Sequence, residues 1–247
     1  METENRIALL IDADNCPASK IEVILDELAK YGVTNIRRAY GNWKSHGLKS
    51  WEEVLHDYAI QPVQQFAYTK GKNATDAAMI IDAMDLLYTQ RLDAFCLASS
   101  DSDFTPLVMR IRANGLKVYG FGEKKTPMPF VNACSKFLYL ENLGVPQDTE
   151  QEPQNSEEVP RSGKDLRGDA KLVNLLRNAV EACDEGDGWA PLSGVGSHIG
   201  NQASFDQRNF GYRKLGDLIE ATGLFDTERR GNHLFLRDKR CNRKQNQ

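Results

Sequence analysis

The chain has 247 residues, 40% of them apolar and 27% charged, with a net charge of −4. That is enough apolar content for one large domain or two smaller ones, which excludes global disorder and a single peptide module. The first apolar run, residues 7–11, stops at Asp12 and follows a polar, acidic start, so neither a signal peptide nor a membrane span is expected and the chain reads as cytoplasmic. Five cysteines at 16, 96, 134, 183 and 241 form no Cys-x-x-Cys pair and have no histidine at metal-ligand spacing, the pattern of reduced thiols rather than of structural zinc.

In chain order, β-rich runs at 7–11, 35–40, 61–67, 94–98, 116–121 and 137–140 alternate with helical patterns at 17–31, 47–58, 74–90 and 104–114. This rhythm predicts an α/β domain with a parallel sheet flanked by helices over 1–143, with ligands gathering beyond the carboxyl ends of the strands. Residues 144–164 hold three prolines, five acids and only two apolar side chains, Val145 and Val159, so a flexible acidic linker is expected. Beyond it, helical spacing at 172–180 and 212–221, a short helix at 192–200 and two strands at 224–228 and 233–237 predict a small winged-helix-like module over 165–240, with a tight turn at Gly231-Asn232. A basic and polar tail, 241–247, follows.

The charge is uneven. Residues 1–143 carry 16 basic and 18 acidic side chains, whereas the stretch Arg229 to Lys244 carries seven basic residues against Asp238 alone. Such a patch suits a polyanion.

Carboxylates gather after two strands: Asp12 and Asp14 follow the first, Asp101 and Asp103 the fourth. N-capping accounts for Asp14 or Asn15 before the helix after Pro17, and for Ser102 or Asp103 before the one containing Pro106, but leaves Asp12 and Asp101 unexplained. Asp76 shares a helix face with Met79, Ile80, Ala83, Met84 and Leu87, where a carboxylate needs a partner; Asp82 falls between faces and is a weaker candidate. Asp12, Asp76, Asp101 and Asp103 in one pocket would repel one another unless a hard cation, Mg²⁺ or Mn²⁺, sat among them, the arrangement phosphodiester hydrolysis uses. Lys44, Lys70 and Lys72, with Arg37 and Arg38, flank strand ends or loops and are candidates for holding a phosphate. Trp43 and Tyr40 could stack on bases, whereas Trp51 has core spacing with Leu48, Leu55 and Tyr58. No phosphate-cradling glycine loop or serine-nucleophile motif is present in the sequence.

The succession LLIDADN, AYGNW, KNATDAAMIIDAMDLL and LASSDSDF over about residues 5–143 resembles the NYN domain, a branch of the PIN-like nucleases. The resemblance implies a Rossmann-like PIN fold, metal-dependent ribonuclease activity, an acidic site at Asp12, Asp76, Asp101 and Asp103 acting as both catalytic and metal-holding groups, and Asn15 beside it. Ser100 stands where a glycine is common. Residues 165–240, with GWAPLSGVG, FGYRKL and a closing hairpin, resemble an OST-HTH or LOTUS domain, which implies RNA binding or protein contacts; single-stranded RNA, a protein held by this domain and a second copy of the chain are the expected partners. In that domain Trp189, Phe210 and Tyr212 have the character of core residues, and Arg213, Lys214, Arg229 and Arg230 that of recognition residues. Two rival functions are a phosphohydrolase of the haloacid-dehalogenase type, disfavoured by Cys16 two residues after Asp14, and a catalytically inactive RNA-binding scaffold.

Overall fold

The aliphatic runs at 7–11 and 94–98 become strands buried on both faces. In the computed structural model, which describes residues 4–65, 74–144, 160–202 and 204–241, two units separate at Val145/Pro146. The first unit holds β1 (Arg6–Asp12), α1 (Ile21–Leu28), β2 (Val33–Gly41), α2 (Trp51–Asp57), β3 (Gln61–Gln64), α3 (Ala74–Thr89), β4 (Ala94–Ala98), α4 (Thr105–Ala113), β5 (Lys117–Gly122), α5 (Met128–Ala133) and β6 (Lys136–Tyr139). All strand pairs are parallel, in the order β3-β2-β1-β4-β5-β6. The order reverses between β1 and β4, the place where open parallel sheets bind ligands.

Side-chain alternation along β1 sorts the core into two layers. Ile7, Leu9 and Ile11 pack with α1 and α2 residues such as Ile24, Leu28 and Trp51. Ala8 and Leu10 point the other way, onto Met79 and Ala83 of α3 and Val108 of α4. Trp51 is core, as its spacing predicts. By the same alternation Asp12 and, just past β4, Ser99 face the α3 side. The structure thereby answers why a carboxylate on the apolar α3 should meet one from β1: both project into the same layer.

α3 is pinned to the sheet by polar contacts. Asp82 accepts from the Arg38 guanidinium on one carboxylate oxygen and from the buried Tyr40 hydroxyl on the other. Sequence spacing left Asp82 as a weak site candidate; its carboxylate is occupied by this clamp. Tyr40 likewise lies within the core rather than in reach of a stacked base.

Helix α5 carries no apolar period long enough to stand out in the sequence, since Pro127 and Pro129 bracket Met128. It forms because Phe130 and Val131 are buried against α4 and β6. The third strand was expected to reach residue 67; it is described only to Gln64. All five cysteines are free, Cys16, Cys96 and Cys134 in the core, and burial pushes the Cys16 thiol up to about 12, which leaves it unreactive.

The second unit holds α6 (Gly163–Gly168), α7 (Ala170–Ala182), β7 (Ala190–Pro191), α8 (Leu192–Gln202), α9 (Leu215–Thr222), β8 (Phe225–Arg230) and β9 (His233–Asp238), with an antiparallel sheet ordered β7-β9-β8. α6 begins inside the stretch expected to be linker: the Ser162 hydroxyl accepts from the Asp165 amide, and Leu166 is fully buried in the small core with Leu176, Ile199, Leu218 and Leu236. α9 starts at Leu215 rather than 212 because Gly211 leaves the preceding turn at φ +86° and Lys214 is extended. β8 and β9 join through Gly231-Asn232, with Gly231 at φ +61°, a conformation that favours glycine at the first position of a two-residue hairpin. No helix among the described residues is long and apolar enough to cross a membrane.

Removing the clamp tests what holds α3. Asp82→Ala leaves a half-buried guanidinium and a buried hydroxyl without their acceptor and is expected to cost about 2 kcal/mol, read as a fall in Tm of several degrees. An unchanged melting curve would show that apolar packing alone fixes the helix.

Candidate functional site

Asp12 ends the central strand and is 1% exposed. Its Oδ2 accepts from Asn15 Nδ2 at 2.8 Å and from Ser99 Oγ at 2.8 Å, whereas Oδ1 is buried and has no hydrogen-bond partner. Burial raises its pKa against the lowering effect of those two bonds. The Asn15 amide nitrogen donates to the Asp12 carbonyl at 3.1 Å, so a tight turn aims the Asn15 side chain back at the carboxylate. Asn15 thus holds Asp12 instead of capping a helix; the turn before α1 and α1 itself begin without side-chain caps.

Ser99 was not singled out in the sequence, although it lies in the LASSDSDF motif. Its backbone amide continues the β4–β5 ladder to Phe121, and its hydroxyl links Asp12 to the loop by also accepting from the Asp101 amide at 3.0 Å. Gly122 permits that approach, since a Cβ there would stand 2.6 Å from the Ser99 carbonyl oxygen. Next door, Ser100 accepts from the Glu123 amide at 2.9 Å, so the residue standing in place of a common glycine fastens this loop to the end of β5.

Asp101, left without a structural role by sequence reasoning, caps the short turn Ser102–Phe104: its Oδ1 accepts from the Asp103 amide at 2.8 Å. Asp103 is exposed and Asp76, in the first turn of α3, half-buried. The Asp76 carboxyl is pushed up to about 6 first by burial, then by the charges of Asp12, Asp101, Asp103 and Asp14. The other three predicted carboxylates therefore all act on Asp76, with Asp14 as a fourth. Asp14 also accepts from Thr75 Oγ1 at 3.4 Å, tying the loop after β1 to the start of α3. Among the described residues no three histidine, cysteine or acidic side chains stand close enough together to hold a metal ion as they are placed.

Lys44 is exposed on the loop after β2, Arg38 is committed to Asp82, and Arg37 donates to the Tyr58 carbonyl at 2.9 Å. Lys70 and Lys72 lie outside the described residues. In the second unit Arg213, Lys214 and Arg229 are exposed. Arg230 instead pairs with Asp187 at 3.0 Å and Glu228 at 3.4 Å and covers the rings of Trp189 and Phe235. Arg237 lies over Trp189 as well, 4.5 Å from the ring centroid, so this indole is a platform for two guanidiniums rather than a plain core residue. Phe210 and Tyr212 pack against the core, as expected.

A carboxyl whose pKa is higher folded than unfolded binds more protons in the native state, so its contribution to stability falls as pH rises through that interval. For Asp76 the interval runs from 3.8 to about 6, and Asp12 is shifted in the same direction. The metal-free protein is expected to lose Tm steadily across that range. Asp76→Asn should flatten the slope and raise Tm at neutral pH; an unaltered slope would place the repulsion elsewhere.

Comparison with known proteins gives the same two divisions. The NYN domain model matches residues 6–141 and the OST-HTH/LOTUS domain model residues 167–235. An uncharacterized protein of Methanocaldococcus jannaschii is 29% identical over 125 residues, 48% of this chain and 48% of that protein, so the chain spans about half the length of this relative. Among solved structures, a Vibrio parahaemolyticus protein of unknown function aligns with 56% of this chain and 94% of its own at 18% identity and a TM-score of 0.48. An uncharacterized Nitrosomonas europaea protein aligns with 39% of this chain and 88% of its own at 33% identity and a TM-score of 0.25. OST-HTH/LOTUS domains are RNA- and protein-interaction modules. With its model matched over more than half of the residues, the chain belongs to the NYN family of PIN-like, nuclease-associated domains and carries a C-terminal OST-HTH/LOTUS domain.

Proposed function

We propose that this protein is a Mg²⁺- or Mn²⁺-dependent ribonuclease acting on single-stranded RNA, with the OST-HTH/LOTUS domain holding or targeting the substrate. The observation that carries the reading is uncompensated negative charge at the β1–β4 switch point: a buried Asp12 oxygen without a partner, and an Asp76 carboxyl pushed up to about 6 by burial and its acidic neighbours. Hard oxygen donors of this kind suit Mg²⁺, which keeps several waters and is ordinarily held by one or two carboxylates together with substrate phosphate, so three protein ligands in contact are not required. Asp12 and Asp76 would hold the ion, with Asp101 and Asp103 beside them. When bound, the ion supplies charge stabilisation at the phosphate and a more acidic water.

The chain's own residues do the rest. Asn15 and Ser99 fix the Asp12 carboxylate through Oδ2 and leave Oδ1 for the cation. The Asp76 carboxyl, raised to about 6 in the metal-free protein, would be drawn back to its charged form by the cation's charge and so serve as a ligand. The clamp on Asp82 keeps α3, and with it Asp76, against the sheet. Exposed Arg213, Lys214 and Arg229 supply phosphate contacts in the second domain, and Lys44, Lys70 and Lys72 in the first. A non-hydrolytic RNA-binding scaffold is the second reading, favoured by the lack of a three-ligand cluster among the described residues.

Labelled single-stranded RNA decides between them. The wild type should cleave it with Mn²⁺ or Mg²⁺ and not with EDTA, leaving 5′-phosphate and 3′-hydroxyl ends. Asp12→Asn should lower the rate by about 100-fold or more and abolish the rise in Tm that Mn²⁺ gives the wild type. Binding without cleavage at any cation concentration would favour the scaffold.

A chain ending at Val145 tests the division of labour. It should keep cleavage and lose RNA affinity, with the difference shrinking as salt rises, because phosphate contacts release counterions. Equal affinity at all salt concentrations would assign the second domain to a protein partner.

A further inference from the structure

An open cavity of about 650 Å³ adjoins the acidic cluster. Asp76, Ala77 and Ile80 of α3 form one wall, Asp103 and Pro106 line the entry to α4, and Pro129 of α5 contributes to the far side. Two of these residues are carboxylates of the candidate site, so the cavity shares a wall with the place where a phosphate would bind. Four of the other six lining residues are apolar, an alanine, an isoleucine and two prolines. Ala77, Pro106 and Pro129 are exposed, so core packing does not account for an apolar recess at this point.

Resting on the ribonuclease reading, we propose that this cavity is a subsite for the nucleobase attached to the phosphate under attack. A nucleotide joins phosphate to base through one ribose, so a phosphate at Asp76 and Asp103 brings its base to a recess bounded by the same two residues. The volume falls in the range of small-ligand pockets, roughly 300–1,000 Å³. Proline rings have no side-chain freedom to lose on contact, and with Ile80 they offer apolar surface to the faces of a base. Ser102 and Thr105 also line the cavity; the Thr105 hydroxyl donates to the Ser102 carbonyl at 2.6 Å and keeps its lone pairs for accepting, while the Ser102 hydroxyl can donate or accept. Such hydroxyls bond to the edge of any base, so the subsite holds a base without selecting one. The acidic rim repels a free phosphate, so occupancy of the subsite by a nucleotide depends on a divalent cation.

The test uses the full chain, Mg²⁺, and three probes: AMP, UMP and ribose 5-phosphate, which has the phosphate without a base. Methyl NMR signals of Ala77 and Ile80 should shift with AMP and with UMP to similar extents, only when Mg²⁺ is present, and not with ribose 5-phosphate. Ala77→Phe fills the recess from an exposed helix position; it should abolish those Ile80 shifts and lower kcat/KM on a short RNA by about 10-fold or more, while the Mg²⁺-induced rise in Tm and the behaviour of Ala77→Ser stay as in the wild type. Cleavage by Ala77→Phe at the wild-type rate would overturn the subsite and leave the ribonuclease reading standing. Base-dependent shifts in a chain that cuts no RNA would support the subsite and overturn hydrolysis. Absence of shifts with either mononucleotide, or equal shifts with ribose 5-phosphate, would overturn the subsite.

Discussion

A carboxylate buried at the end of a central strand constrains everything around it. Asp12 projects into the layer covered by α3, in surroundings that disfavour its charge. The neighbouring residues offset part of that cost: Asn15 turns back from the next loop and Ser99 reaches across from the adjacent strand, both onto the same oxygen. The second oxygen is left bare. An arrangement that satisfies half of a buried carboxylate differs from the usual treatment of interior polar groups, which find partners for nearly all their atoms.

Stability and function pull apart at this point. Asp76 adds a further carboxyl to the field of Asp12, Asp14, Asp101 and Asp103, and its raised pKa records its burial first and that repulsion second. Apolar contacts through Met79 and Ala83 and the Arg38–Asp82–Tyr40 clamp hold α3 in place against it. Like-charge groups kept together by packing elsewhere are characteristic of sites whose charge is completed by something bound.

The second domain solves a different problem. Its core is small, built from about one apolar residue of each helix turn and the centre of β9, and it closes with a hairpin whose basic side chains are arranged unequally. Arg230 and Arg237 lie over Trp189 and pair with acids of their own domain. Arg229, Arg213 and Lys214 stand outward. Charge counted along a sequence therefore overstates what such a patch offers a polyanion, because guanidiniums stacked on an indole and paired with aspartates are already partly neutralised.

Local chemistry was legible from the sequence: the six strands and the first four helices between them, the hairpin at Gly231, Trp51 as core, and the acidic residues following β1 and β4. These follow from apolar period, turn chemistry and position after a strand, which are properties of neighbouring residues. What sequence reasoning missed depends on contacts between distant segments. Short α5 and α6 are fixed by burial of Phe130 and Leu166 rather than by their own periodicity. Asp82 became a clamp because Arg38 and Tyr40, on a strand more than forty positions earlier, face it. Asp101 caps a turn that spacing did not assign to it, and Asn15, one of two capping candidates, holds Asp12 and caps no helix. Ser99 gained its part only because parallel pairing sets the end of β4 beside the end of β1. The sequence by itself determined which residues carry charge at the strand ends; the tertiary structure decided which of their oxygens are satisfied, since that depends on register and on the face each strand presents to α3.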